Sequence, residues 1–173
     1  MPTTFSYDQP YIVVGAFIEQ DGKILLIQEN HFPDKGKWNI PAGKLDFGED
    51  PVQAAIREVR EEAGVVFNPT AVLGIYSVLR EDVSSKTSNI HAVRLVFKGS
   101  HTGRVNLNRG ELNSDGEAEI SDHQWLTPQE IEEMDIKLLR YWDVKQQAKD
   151  FLLGKEYPLD FIKHIFQPKR QDL

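Results

Sequence analysis

The chain has 173 residues, no cysteine, a formal net charge of −7 and a sequence pI near 5.2. That length bounds it to one domain, or one domain with a tail, and the missing cysteines exclude a disulfide framework and a thiol nucleophile. An acidic chain gains nothing from counterion release on duplex nucleic acid, so no nucleic-acid polymer is expected as partner. The N-terminus carries no basic leader and no apolar run is long enough to span a membrane, so the expected location is cytoplasmic, with no membrane attachment.

In chain order, Tyr11 to Ile18 and Lys23 to Gln28 read as strands joined through Asp21-Gly22, a good hairpin turn pair. A polar loop from Asn30 to Lys37 leads to Trp38-Asn39-Ile40, with Trp38 expected in the core. A helix follows. Asp50 suits its N-cap, Pro51 its first position, Gln53 the capping-box site and Gly64 the position just past its end. Val52, Ala55, Ile56, Val59 and Ala63 recur at spacings of three and four, which makes one apolar stripe.

Further on, Val72 to Leu79 and Ala92 to Phe97 read as strands, with Arg80 to Asn89 as a charged loop between them. Ser100 to Gly116 reads as a long loop, and Gln124 to Leu126 as a short final strand. Thr127-Pro128-Gln129-Glu130 forms a second capping box, and a longer helix is expected from Leu138 to Leu153, closed by Gly154. In the tail, Pro158 to Ile162 and Ile165-Phe166 are expected to pack on the domain or a partner subunit, and Gln167 to Leu173 to be loose. The five histidines lack metal-ligand spacing and read as surface or packing residues.

Chemistry concentrates on the first helix. Glu58, Glu61 and Glu62 stand three and four apart and project from neighbouring turns on a face other than the apolar stripe. Like charges at these spacings repel. A solvated acidic face balanced by Arg57 and Arg60 is the plain reading; a divalent cation site is the functional one, since hard cations take carboxylate oxygens. The preceding loop, Pro41 to Gly48, has the glycine spacing of a P-loop, but Glu49-Asp50 replace the required Lys-Ser/Thr and would repel phosphate. Glycine lets backbone approach a ligand closely, so a carbonyl of Ala42 or Gly43 is a further candidate ligand.

Gly43, Glu49 and the run Arg57-Glu58-Val59-Arg60-Glu61-Glu62-Ala63-Gly64-Val65 fill every fixed position of G-x5-E-x7-R-E-U-x-E-E-x-G-U, with U apolar. By this motif the chain resembles the Nudix hydrolases, and Tyr11 to Met134 looks like a whole Nudix domain. The resemblance implies an α/β fold, an α/β/α sandwich around a mixed sheet, with residues 1–135 as the Nudix domain and residues 136–173 as a helical extension packed on it. It implies hydrolysis of a nucleoside diphosphate linked to another group, dependent on Mg²⁺ or Mn²⁺. Glu58, Glu61 and Glu62 would be metal ligands, Glu58 or a nearby carboxylate would also orient or deprotonate the water, Arg57 would position the glutamates, and Glu49 would support the loop. Glu119 is similar in position to a further catalytic carboxylate of such families, with Glu117 and Asp122 as rivals.

Substrate choice lies outside the motif. Lys44, Arg104 and Arg109 are candidates for a substrate phosphate; solvated surface arginine is the alternative for the last two. The segments around Tyr11 to Phe17, Lys23 to Glu29 and Gly36 to Gly43 resemble the MutT-like branch and the oxidised-guanine nucleoside-diphosphate phosphatases. Three functions are therefore expected to compete. They are hydrolysis of a nucleoside di- or triphosphate, oxidised ones included; hydrolysis of ADP-ribose, a nucleotide sugar or a dinucleotide polyphosphate; and nucleotide sensing without turnover. The partner is a small nucleotide, and a homodimer is compatible with the tail.

Overall fold

The computed structural model describes residues 10–80, 90–107 and 118–165. Among these, seven strands form one mixed sheet: β1 (Tyr11–Gln20), β2 (Lys23–Glu29), β3 (Trp38–Asn39), β4 (Ala42–Lys44), β5 (Val66–Arg80), β6 (Ile90–Thr102) and β7 (Ile120–Leu126). The spatial order is β3-β2-β1-β6-β5, with β4 on β1 and β7 on β2. β1 and β6 run parallel, from Tyr11 opposite Ala92 to Ile18 opposite Gly99. β5 and β6 form a long antiparallel pair, and β1 meets β2 through a tight turn in which Asp21 (φ 53°) and Gly22 (φ 76°) are both left-handed.

Side chains on β1 alternate between two cores, as period-two geometry requires. Val13 and Phe17 face a cluster with Leu26, Trp38, Val96, Ile131, Val144 and Ala148. Val14, Ala16 and Ile18 face a second cluster with Leu25, Phe97, Ala54, Ala55 and Val59. The second cluster is covered by helix α1 (Pro51–Ala63), the first by α2 (Pro128–Glu133) and α3 (Asp143–Leu152). The result is an α/β/α sandwich. No helix among the described residues is long and apolar enough to cross a membrane.

Several expected elements differ in extent. β5 begins at Val66 rather than Val72, β6 runs on to Thr102 and β7 begins at Ile120, because ladder pairing carries the strands through polar residues with no apolar alternation. The helix expected from Leu138 begins only at Asp143. A short 3-10 turn, Ile136–Leu138, precedes it; Leu139 is extended and bridges Trp38, and the Arg140 N–H donates to the Trp38 carbonyl. The chain there serves as wall instead of helix. Arg109, Glu117, the loop 81–89, Phe166 and the end 167–173 lie outside the described residues. In the tail, Leu159 and Ile162 pack on the α1-side core and Tyr157 pairs with Val72, whereas Phe161 and Ile165 are exposed.

Candidate active site

The local chemistry of α1 places the acids. Asp50 accepts hydrogen bonds from the N–H groups of Val52 and Gln53, and Gly64 ends the helix in a left-handed conformation at φ 68° with its N–H on the Arg60 carbonyl. The Gln53 side chain makes no return bond among the described residues. Pro51, Ala54, Ala55, Val59 and Ala63 are buried against the sheet, which turns Arg57, Glu58, Glu61 and Glu62 toward β4 and the loop after it.

Arg57 is the centre of that face. Its Nε and Nη2 donate to the two oxygens of Glu49 at 2.8 and 2.9 Å, and its Nη1 donates to Glu58 at 2.7 Å and Glu61 at 3.0 Å. Nη2 also donates to the Lys44 carbonyl at 3.2 Å, which ties the helix to the loop. Glu62 accepts from the Ala42 N–H at 2.7 Å. Gly43 sits so close that a Cβ added there would stand 2.2 Å from the Glu58 carboxyl carbon; any larger residue would push that carboxyl out of its place.

One guanidinium therefore faces three carboxylates, and Glu62 adds a fourth beside them. Burial pushes the Glu62 carboxyl well above the ordinary range, and the charges of Glu29 and Glu58 push the same way. Burial also raises Glu58, against the opposing effect of Arg57. Among the described residues no three acidic or histidine side chains converge closely enough to hold a metal ion as they stand. The reason is visible: one oxygen of Glu58 and one of Glu61 turn to Arg57, and one of Glu62 turns to Ala42. The second oxygen of each carboxylate accepts no hydrogen bond among the described residues. These three oxygens, from an overcharged and half-buried cluster, fit the hard-oxygen donor set of a divalent cation.

The other sequence candidates fall in different places. The Lys44 ammonium lies 5.3 Å from the Tyr11 ring centroid, beside the same loop. Glu119 precedes β7, and its carbonyl accepts from the Asn30 N–H, which sets it next to the end of β2. Ala42 donates its N–H to Glu62. Arg104 is exposed near the C-terminal end of α1 and pairs with none of the clustered carboxylates.

A second charged group was not foreseen. Glu29, 1% exposed, accepts from Arg140 at 2.6 Å; Asp34, equally buried, binds Lys37 at 3.0 Å and Arg80 at 3.2 Å and lies 3.3 Å from Arg140 Nε. Arg94, fully buried, grips Asp143 with Nη1 at 2.7 and 2.9 Å and donates to Asn39 at 3.2 Å. Arg80, Arg94 and Arg140 all stand over the Tyr141 ring at 4.9–5.6 Å. Burial, then Tyr141, pushes the Tyr11 hydroxyl up to about 12. These contacts join residues up to 111 positions apart, so no local pattern announces them.

An α/β/α sandwich carrying a ladder of glutamates against a glycine loop is the frame of a Nudix fold. The NUDIX domain model matches residues 9–148, and the chain belongs to that family. Nudix hydrolases generally depend on divalent metal ions. A solved NUDIX hydrolase from Nitrosomonas europaea is 34% identical with a TM-score of 0.73, covering 90% of this chain and 97% of its own. An ADP-ribose pyrophosphatase of Methanocaldococcus jannaschii is 35% identical over 91 residues, 53% of this chain and 51% of that protein. The human 8-oxo-dGDP phosphatase NUDT18 is 29% identical over 159 residues, 88% of this chain and 45% of that protein. The chain thus spans about half the length of these two curated relatives.

Proposed function

We propose that this protein hydrolyses a phosphoanhydride bond of a nucleoside di- or triphosphate, oxidised nucleotides included, by attack of water on phosphorus. The observation that carries the reading is the set of three glutamates on one face of α1, each with an oxygen left over, with Glu58 packed against Gly43. Mg²⁺ or Mn²⁺ would be held by Glu58, Glu61 and Glu62, with a carbonyl of Ala42 or Gly43 as a further ligand. When bound, such a cation neutralises phosphate oxygens and activates water.

The chain's own residues do the rest. Arg57 ties one oxygen of Glu58 and one of Glu61 to the helix face, and Glu49 braces Arg57 from the loop, so the acids stay close together and only a turn of each carboxylate is needed to bring the second oxygens onto a cation. Glu58, close against Gly43, accepts the proton from water; Glu119, just before β7 and bonded through its carbonyl to the Asn30 N–H, is the second candidate for that role. Lys44 faces the same loop and is the favoured phosphate contact; Arg104 has less support from its position. The segment from residue 136 to 165 is read as part of the same unit, since the family match runs past residue 135 and Arg140 reaches Glu29. Free nucleotides in the cytoplasm are the proposed setting.

A second reading, hydrolysis of ADP-ribose, is favoured by the 35% identity to the archaeal ADP-ribose pyrophosphatase. The test is a panel of nucleotides and nucleotide sugars incubated with Mg²⁺, products identified by mass. A nucleoside monophosphate with phosphate or pyrophosphate supports the first reading. AMP with ribose 5-phosphate supports the second, and absence of turnover across the panel leaves a nucleotide sensor.

A further inference from the structure

Beyond Gly43 the site continues into space that the hydrolytic cluster does not use. A chamber of 80 Å³ bordered by Tyr11, Asn39, Gly43, Lys44, Arg140 and Tyr141 adjoins the glycine loop. Arg140 and Tyr141 also line a larger cavity of 580 Å³, whose remaining wall includes Lys37, Arg80, Lys137 and Trp142. That volume lies within the usual range for small-molecule sites.

The charge of the larger cavity is unlike that of the chain. The whole sequence carries −7, yet among the described residues the cavity wall holds Lys37, Arg80, Lys137 and Arg140 and no aspartate or glutamate. Asp34 and Glu29 lie buried behind it, where they anchor Lys37, Arg80 and Arg140 in place. Lys137 makes no ion pair among the described residues. The indole of Trp142 can only donate. Among the described residues, the charged side-chain groups of the wall and the Trp142 indole are therefore donors. Flat surfaces come with them: Tyr141 lies under the guanidiniums, and Trp142 is 66% exposed.

We infer that this cavity seats the base of the substrate and selects a keto-edged purine over an amino-edged one. A planar ring stacks on the exposed indole, and its edge must meet donors. A 6-oxopurine presents two acceptors, O6 and N7, to a lysine or arginine head; adenine presents a donor where O6 would be. The inference deepens the hydrolase reading and rests on it for the direction in which the phosphates lie.

The test uses nucleoside monophosphates, which have no anhydride to cleave. The intact protein in Mg²⁺ buffer is titrated with GMP, IMP and AMP, following tryptophan emission. GMP and IMP should quench with an affinity at least about fivefold above AMP. The signal should vanish in Trp142→Phe, and Lys137→Glu, an exposed substitution that places an acceptor on the rim, should shrink the ratio toward one. Equal affinity for GMP and AMP, or a preference for AMP, overturns the inference, as does quenching that survives Trp142→Phe or a ratio indifferent to Lys137→Glu. A protein that turns over nucleotide anhydrides with no base preference keeps the hydrolase reading and loses this one. Selective quenching without turnover of any anhydride upholds the pocket and refutes the hydrolase reading.

Discussion

Arg94→Met removes the one cation that is wholly enclosed by the fold among the described residues. Arg94 is 0% exposed; its loss strips two hydrogen bonds, at 2.7 and 2.9 Å, from the Asp143 carboxylate and one, at 3.2 Å, from Asn39. Removing one partner of a buried ion pair costs about 3–5 kcal/mol, because the other charge stays buried without compensation. Against a typical domain stability of roughly 5–15 kcal/mol this is a large share. At roughly 2–4 °C per kcal/mol for a chain of this size, the melting temperature should fall by on the order of 10 °C. Replacing both partners, Arg94→Met with Asp143→Leu, should recover more than half of the loss, since an apolar pair of similar volume does not carry a stranded charge. Full recovery is not expected, because Gln147 Nε2 also donates to Asp143, at 2.6 Å. Urea unfolding at neutral pH, followed by circular dichroism, reads both numbers from the midpoint at constant m. A loss under about 1 kcal/mol for Arg94→Met, or a double variant less stable than the single one, would refute the reasoning.

Glu62→Gln should lower kcat at least 10²-fold, roughly 2.7 kcal/mol of barrier, while leaving the fold intact, because the amide oxygen can still accept from Ala42. Near-normal kcat at saturating Mg²⁺ would show that the assignment is wrong. Gly43→Ala puts a methyl 2.2 Å from the Glu58 carboxyl carbon; the carboxyl is the mobile end of a side chain, so it moves and breaks its bond to Arg57. The expected result is a kcat loss of tenfold or more, about 1.4 kcal/mol, with little change in the thermal melt; unchanged kcat contradicts the packing. For Asp34, burial raises the carboxyl, but the hydrogen bond from Lys37 and the charges of Arg80, Arg140 and Lys37 prevail and hold it below the usual range. A depressed folded value means stability that is complete above the unfolded aspartate value of about 3.9 and is lost as pH falls through the folded one. Asp34→Asn should therefore cost about 1.5–3 kcal/mol at pH 7, and the gap from the parent should close in strong acid. A gap constant across pH would contradict the pairing.

Short-range grammar made α1 legible: a capping aspartate, a proline, an apolar stripe and a terminal glycine each have one physical meaning, and the structure has all four. The same holds for Asp21-Gly22 and for Thr127, whose hydroxyl accepts from the Glu130 N–H while the Glu130 carboxylate reaches back to the Thr127 N–H. Strand ends were less readable, since β5 and β6 extend through Asn68, Pro69, Ser100 and His101 on the strength of each other's hydrogen bonds. The helix expected from Leu138 starts only at Asp143, because Leu138 ends a 3-10 turn and the Trp38 backbone then holds Leu139 and Arg140 in a bridge instead. The group around Glu29, Asp34, Arg94 and Arg140 was invisible for a different reason. Buried charges declare themselves by their partners, and these partners come together only when β2, β6 and the segment before α3 pack.

The most direct test of the metal reading is Mn²⁺ binding followed by electron paramagnetic resonance, comparing the parent with Glu58→Gln/Glu61→Gln/Glu62→Gln. The account predicts that the parent removes the free-ion signal on titration and that the triple variant, folded by circular dichroism, leaves it intact. Equal Mn²⁺ binding by both proteins would place the cation elsewhere and contradict the claim that α1 holds it.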